Sequence, residues 1–373
     1  MIDQSTINLL LRGLNAITWQ SMVMIFVSFV LLYLAIVKDY EPLLLLPIAA
    51  GCMLANLPLS PLVANDGMLK VLYDMGVDNE LFPLFIFIGI GALTDFGPLL
   101  ENPRLVLLGG AGQFGIFLTL LLALMIGFTQ KEAASIGIIG AIDGPTSIYV
   151  SGLLAPHLLG PITVAAYSYM SLVPIILPPV VKLLTTENER RIRMPYSSRK
   201  ISKKTRVVFP VAATIIVGCL VPFAIPLVGS FMLGNLMKES GAVERLTNCA
   251  SNELANVVTL FLGLAIGSTM VGTSFLKPDT MFIMILGLGA FALDAAAGVL
   301  FAKILNLFGS KLNPMIGAAG ISAFPMAARV IQKMAFDADF ENFLLMHAMG
   351  SNAAGQLASA VAGGVLLALM GTA

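Results

Sequence analysis

Asp143 lies near the middle of an otherwise uncharged stretch, Ala133 to Ala155, in the run Gly140-Ala-Ile-Asp-Gly-Pro-Thr146. A stretch of that length can cross a bilayer. A bare carboxylate at mid-membrane costs about 2.5–3.5 kcal/mol on insertion scales. Gly144 and Pro145 follow at once, and both break a helix. A helix broken beside an acid at mid-depth is one way transporters build a cation site. Further polar residues stand among small ones in Asn313-Pro-Met-Ile-Gly-Ala-Ala-Gly-Ile-Ser322 and in Gly350-Ser-Asn-Ala-Ala-Gly355. Thr146 and Ser322 offer hydroxyls, and Asn313 and Asn352 offer amide oxygens. Gly317 and Gly320 permit close packing or an unwound backbone with free carbonyls. One carboxylate with hydroxyl, amide and backbone oxygens suits a hard cation. A single negative charge favours a monovalent ion, so sodium fits, and the acid could also carry a proton. The plainer roles are a helix cap for Asn313 and an interhelical bond for Asn352.

Other polar residues have two readings each. Arg329, in Pro325-Met-Ala-Ala-Arg329, either binds an anionic group in a cytoplasm-facing cavity or snorkels to the interface. Tyr167 and Tyr169 belong either to an aromatic belt or, as proton-donating phenols, to the site. Asp294 is a second intramembrane acid, either another cation or proton ligand or an acid paired within the bundle. Asp95 lies near the end of a span, where water reaches it.

The elements that must position these groups are membrane helices. The chain of 373 residues is 58% hydrophobic and 11% charged, with a mean hydropathy of +0.92; soluble domains carry roughly 25% charged residues. This predicts an all-α polytopic membrane protein. Eleven spans are expected, near 16–37, 43–59, 81–98, 105–128, 133–155, 160–184, 207–227, 254–272, 280–305, 312–333 and 343–371, after a short interfacial helix over 3–14. The loop 187–206 carries Arg190, Arg191, Arg193, Arg199, Lys200, Lys203, Lys204 and Arg206 against Glu187 and Glu189. The positive-inside rule makes it cytoplasmic; it could also dock an acidic or soluble partner. With six spans before it, the N-terminus is expected in the cytoplasm and the C-terminus outside.

The halves resemble each other weakly. Ile88-Gly-Ile-Gly91 recurs as Leu262-Gly-Leu-Ala265, and Ile139-Gly-Ala141 as Ile316-Gly-Ala318. This divides one membrane domain into residues 1–42 (interfacial helix and first span), 43–206 (repeat 1 with the basic loop) and 207–373 (repeat 2). Five spans per repeat invert the second against the first, with two broken helices crossing at mid-membrane.

Some chemistries are excluded. Cys52, Cys219 and Cys249 lack metal spacing and read as packing residues. His157 and His347 stand alone. Gly109-Gly-Ala-Gly112 follows no strand, so it is no nucleotide loop, and no Walker motif exists. Zero net charge implies no nucleic-acid partner.

Longer motifs are more specific. Gly140–Thr146, Leu154-Ala-Pro-His-Leu-Leu-Gly160, Ala165-Ala-Tyr-Ser-Tyr-Met170, Leu184-Thr-Thr-Glu-Asn-Glu-Arg-Arg-Ile-Arg193, Asn313–Gly317, Pro325–Arg329 and Asn342-Phe-Leu-Leu-Met-His-Ala-Met-Gly350 resemble the beta subunits of sodium-translocating biotin-dependent decarboxylases. The resemblance runs from about residue 80 onward. It implies a carboxybiotin decarboxylase in the bacterial inner membrane that couples decarboxylation to sodium export. It also implies Na+ and carboxybiotin as the groups handled, the latter presented by a biotin carrier protein. The implied partners are a carboxyltransferase alpha subunit, a small membrane-anchor subunit and further copies of the chain. Asp143, Asn313 and Asn352 then match the sodium ligands. Gly317, Ser322, Tyr169 and Arg329 fall on the family's functional motifs, with Ser322 and Tyr169 handling ion or proton and Arg329 the carboxybiotin. Ile142 stands where a small residue is expected, and Ser351 where proline is common. The competing reading is a stand-alone secondary transporter, either a sodium/proton antiporter or a sodium-coupled anion symporter.

Overall fold

The computed structural model describes residues 12–13, 15–39, 42–194, 201–309 and 311–371, and among them it is helical without strands. Most of the expected interfacial helix, as well as Arg199 and Lys200, lies outside the described residues. The main helices are α1 (Trp19–Ile36), α2 (Pro42–Asn56), α3 (Leu81–Leu93), α4 (Leu105–Ala111), α5 (Phe114–Ile126), α6 (Gln130–Gly137), α7 (Gly144–Leu154), α8 (Leu159–Leu184), α9 (Lys203–Leu220), α10 (Ile225–Ser240), α11 (Ala255–Thr269), α12 (Pro278–Leu307), α13 (Met315–Ala318), α14 (Met326–Ala338) and α15 (Leu345–Met370). Among the described residues, five helices are long and apolar enough to cross a membrane, or up to seven if each of two bent pairs is one span. Helix α10 departs from the expected pattern, which places its apolar start at the end of the span 207–227.

Several elements recur in order along the described residues. An 18-residue helix opens each half, α1 and then α9. A π-helical turn precedes α3 at Asp74–Asp78 and α11 at Ala250–Leu254. A 26-residue helix closes each half, α8 and then α15. The halves also trade contacts. In the α2–α11 seam a Cβ on Gly51 would stand 2.4 Å from the Leu264 carbonyl, and in the α3–α10 seam one on Gly91 would stand 1.9 Å from that of Phe231. Small residues let helix backbones meet in this way, which matters where lipid supplies no hydrophobic drive between helices.

Both helices expected to be broken are broken. α6 begins with a capping box, Thr129 with Glu132, and unwinds at Ile142, which is left-handed (φ 52°). α7 then starts with Asp143 as N-cap and a proline in its first turn. In the second half, α13 and α14 are separated by the unwound residues Ala319–Pro325.

The paths differ from the expected crossing. The Asn313 amide donates to the carbonyls of Arg190 and Ile192, both at 2.9 Å. At the other end of the same segment, Asp339 takes the Arg193 guanidinium at 2.5 and 2.9 Å. In the first half Glu132, in the first turn of α6, meets His157, just beyond α7, at 2.9 Å. Each broken segment is therefore a hairpin whose two ends lie together. The apolar run and the break were readable; the direction taken after the break was not. Outside the apolar segments, Arg193 and the Glu341 N–H hold the Asp339 carboxyl below its ordinary value.

Candidate ion site at the hairpin tips

The two tips touch. The Ser322 N–H donates to the Ala141 carbonyl at 3.1 Å, which joins tip 2 (residues 319–325) to tip 1 (residues 138–143) two residues before Asp143. Asp143 is only 3% exposed, and one of its oxygens, Oδ2, accepts three donors. These are the Thr146 hydroxyl at 2.7 Å, the Gln356 carboxamide at 2.8 Å and the Ser359 hydroxyl at 2.8 Å. The other oxygen takes only the Thr146 N–H, at 3.5 Å. No basic side chain bonds to Asp143 among the described residues.

Helix α15 bridges the tips. Gln356 and Ser359 hold tip 1, and the Asn352 amide holds the Ile321 carbonyl of tip 2 at 2.6 Å. The Ser322 hydroxyl donates to the Gly355 carbonyl at 3.0 Å. Gln113, at the break between α4 and α5, reaches the carbonyls of Gly109, Gly320 and Gly355 at 3.1, 3.3 and 3.4 Å. Two amide oxygens in this cluster, Asn352 Oδ1 and Gln113 Oε1, are buried without a partner. Such atoms are rare in folded proteins and ask for an explanation.

Sequence reasoning missed Gln356, Ser359 and Gln113. The signal for the first two was present: Asn352, Gln356 and Ser359 stand at i, i+4 and i+7, one polar stripe on an apolar helix.

Of the expected site residues, the structure brings Asp143 and Thr146 together and sets Ser322 and Asn352 at the adjoining tip. It does not bring Asn313 or Gly317 to Asp143. Both Asn313 donor hydrogens serve the loop at 190–192, and its oxygen caps the Met315 N–H at 3.0 Å. Gly317 faces Gly298 of α12 so closely that a Cβ on it would stand 2.0 Å from that carbonyl. Its role there is backbone contact. Tyr169 points to α12, its hydroxyl on the Met284 carbonyl. Tyr167, also on α8, packs against the start of α7 instead, where a Cβ on Gly144 would overlap its ring.

Asp294 is engaged within the bundle. Its Oδ1 accepts the Gly115 N–H, so an acid from α12 caps the start of α5. Its Oδ2 has no partner and faces Gly140 of hairpin 1. Arg329 opens α14 and lines a cavity of about 560 Å³ with Ile90, Asp95, Phe324, Pro325 and Met349. It is exposed and makes no ion pair among the described residues. Phe324 and Pro325 belong to tip 2, so the cavity abuts the seam between the tips.

A family model described as the Na+-transporting oxaloacetate decarboxylase beta subunit matches residues 20–370. The chain is 52% identical over 360 residues to the glutaconyl-CoA decarboxylase subunit beta of Acidaminococcus fermentans, covering 96% of each. It is 52% identical over 359 residues to the methylmalonyl-CoA decarboxylase subunit beta of Veillonella parvula, covering 96% of this chain and 95% of that one. It is 46% identical over 426 residues to the oxaloacetate decarboxylase beta chain of Klebsiella pneumoniae, covering 97% and 98%. The chain belongs to the Na+-transporting oxaloacetate decarboxylase beta-subunit family.

Proposed function

We propose that this chain is the membrane subunit that decarboxylates carboxybiotin on a carrier protein and uses the reaction to export sodium. The observation that carries this reading is Asp143, a buried carboxylate at a hairpin tip, bonded only to neutral groups that can turn away for a cation. The ion would rest on Asp143 with the Thr146 and Ser359 hydroxyls and the unpartnered Asn352 oxygen. Sodium is cargo here. Carboxybiotin would enter the Arg329 cavity, its carboxylate on the guanidinium and its ring against the apolar wall. Cleavage of the N–C bond releases carbon dioxide; the electron pair stays on the ureido nitrogen, which takes up one proton.

The arrangement also supports a topology. The end of α8 and the start of α15 meet at one loop, because Asn342 Nδ2 donates to the Arg190 carbonyl at 3.0 Å. These equivalent helices therefore run in opposite directions, as inverted repeats require. Lys303, near the end of α12, bonds Glu189 of that loop at 3.0 Å. The start of α1 packs by Gly272, beside Asn56 at the end of α2. We read five crossings and one re-entrant hairpin per half, the halves beginning at α1 and α9 and not at residues 43 and 207. With the basic loop cytoplasmic, hairpin 1 enters from outside and hairpin 2 from the cytoplasm. The start of α1 and the end of α15 then lie outside, which reverses the expected placement of the N-terminus. The partners are a biotin carrier, a carboxyltransferase subunit and a small anchor subunit.

The test is decarboxylation of free carboxybiotin by the purified chain in liposomes, with and without sodium. Turnover should need sodium and load labelled ion into the lumen of inside-out vesicles. Asp143→Asn should abolish both. Turnover indifferent to sodium, in wild type or variant, overturns the proposal.

A further inference from the structure

We propose that the Gln356 carboxamide is an exchangeable sodium ligand. It donates to Asp143 while the ion is absent and turns over to present its oxygen when the ion arrives. The inference rests on Asp143 being the sodium carboxylate, and deepens that reading.

The crowding of one oxygen is the starting point. Asp143 Oδ2 holds three hydrogen-bond donors at 2.7–2.8 Å. A carboxylate oxygen has two lone-pair directions, so it is saturated. A cation can bind this oxygen, and so take both carboxylate oxygens, only after donors withdraw, because their hydrogens carry positive charge toward it. The two hydroxyls withdraw easily. Each can rotate its hydrogen and expose a lone pair, and Ser359 already has a second acceptor, the Gln356 backbone carbonyl, at 2.9 Å. The carboxamide is different. Its hydrogens are fixed on nitrogen, so it either stays as an obstacle or turns about its Cγ–Cδ bond and becomes a ligand.

Burial decides between these. Gln356 is 2% exposed, with little water to fill a vacated coordination position. A fixed donor would leave sodium short of a ligand and facing a partial positive charge. A turned amide supplies a neutral oxygen, a ligand type that hard cations accept alongside carboxylates and hydroxyls. The geometry also fits a carrier that must change conformation with and without its ion. The three donors replace the ion's charge when it is gone, so Asp143 need not sit bare in an apolar interior. Gln356 thereby sets sodium affinity, while the Arg329 cavity handles the other substrate.

The experiment is equilibrium binding of labelled sodium to the purified full-length chain, for wild type, Gln356→Leu, Gln356→Glu and Asp143→Asn. Size-exclusion profiles check folding. Gln356→Leu removes donor and ligand together and should weaken sodium binding about ten- to hundredfold. Gln356→Glu keeps an oxygen and, once ionised, cannot donate, so at alkaline pH it should bind at least as tightly as wild type. Wild-type or tighter binding by Gln356→Leu shows that the amide only donates, and overturns the proposal. So does Gln356→Glu binding as weakly as Gln356→Leu. If Asp143→Asn binds like wild type, both this inference and the underlying site fall. If Asp143→Asn fails to bind while Gln356→Leu behaves as wild type, only the role of Gln356 falls.

Discussion

Replacing Gly355 by alanine should uncouple the ion site while leaving a folded chain. A Cβ there would stand 2.1 Å from the Gly320 carbonyl oxygen and 2.7 Å from its carbon. Both are backbone atoms of tip 2, so no side chain can swing aside. Ordinary contact begins near 3.4 Å, so tip 2 must retreat from α15 by about 1.3 Å. The retreat strains the bonds of this seam, Asn352 to Ile321 at 2.6 Å and Ser322 to Gly355 at 3.0 Å. It also pulls on the Ser322–Ala141 bond to tip 1. Overpacking costs about 1–3 kcal/mol, and alanine returns up to about 1 kcal/mol over glycine in a helix. The net loss, roughly 0–3 kcal/mol, leaves most molecules folded. Function is less tolerant, since misplacement by about 1 Å can cost a factor near 10².

The assay pairs thermal unfolding in detergent with sodium-dependent turnover of free carboxybiotin. Gly355→Ala should lose about a hundredfold in turnover with a modest fall in melting temperature. Gly110 is the control, because a Cβ there meets nothing within 4 Å. Gly110→Ala should match wild type in turnover and melt no lower. If Gly355→Ala turns over like wild type, the tip 2 seam does not set the ion site, and the reasoning fails.

Two other changes separate the remaining roles. Arg329→Ala should raise the KM for carboxybiotin by about ten- to hundredfold, the loss of a charged hydrogen bond of roughly 1.5–3 kcal/mol. At saturating carboxybiotin its half-saturating sodium concentration should stay unchanged; a rise that persists there would place Arg329 in the ion site. Asp294→Asn keeps an oxygen for the Gly115 N–H and should retain sodium-dependent turnover. Asp294→Leu leaves that buried donor unpaired and should lose about 1–3 kcal/mol of stability, read as a lowered melting temperature. Loss of sodium binding in a stably folded Asp294→Asn would make Asp294 an ion ligand instead of a cap.

Membrane class and the broken helix at Asp143 were legible because both are composition and local chemistry: an apolar run, then an acid, then Gly-Pro. Hairpin geometry was not. An apolar run with a break fits a crossing helix and a re-entrant hairpin equally well, and only the pairing of distant ends, Asn313 with the 190–192 carbonyls and Glu132 with His157, separates them. Asn313 carries a related ambiguity. An amide before proline at a helix start serves a loop as readily as an ion, and residue type alone does not distinguish the two. Gln356 and Ser359 were hidden because they lie more than 200 residues from Asp143, although their spacing from Asn352 marked the helix face. α10 escaped notice because the loop Val221–Ala224 before it is apolar, so hydropathy shows no boundary there.

The polarity of this site follows from what stabilises Asp143. The acid caps α7, where a helix N-terminus favours negative charge by about 0.3–1 kcal/mol. Hydroxyl and amide donors do the rest. A lysine or arginine in their place would neutralise the acid permanently and fill the space. Neutral donors neutralise it only partly, so a mobile cation becomes the one full countercharge available. The same seam sets the energy scale of coupling. Moving one charge against 100 mV takes about 2.3 kcal/mol. A buried hydrogen bond is worth about 0.5–1.5 kcal/mol, so two or three bonds between the tips and α15 match the work of one ion. Because Phe324 and Pro325 wall the Arg329 cavity, a ligand bound there as proposed would press on tip 2 directly. The Ser322–Ala141 bond carries that displacement to within two residues of Asp143. On the proposed function, emptying the cavity and releasing the ion would be one rearrangement of a few hydrogen bonds, with no long relay between two distant sites.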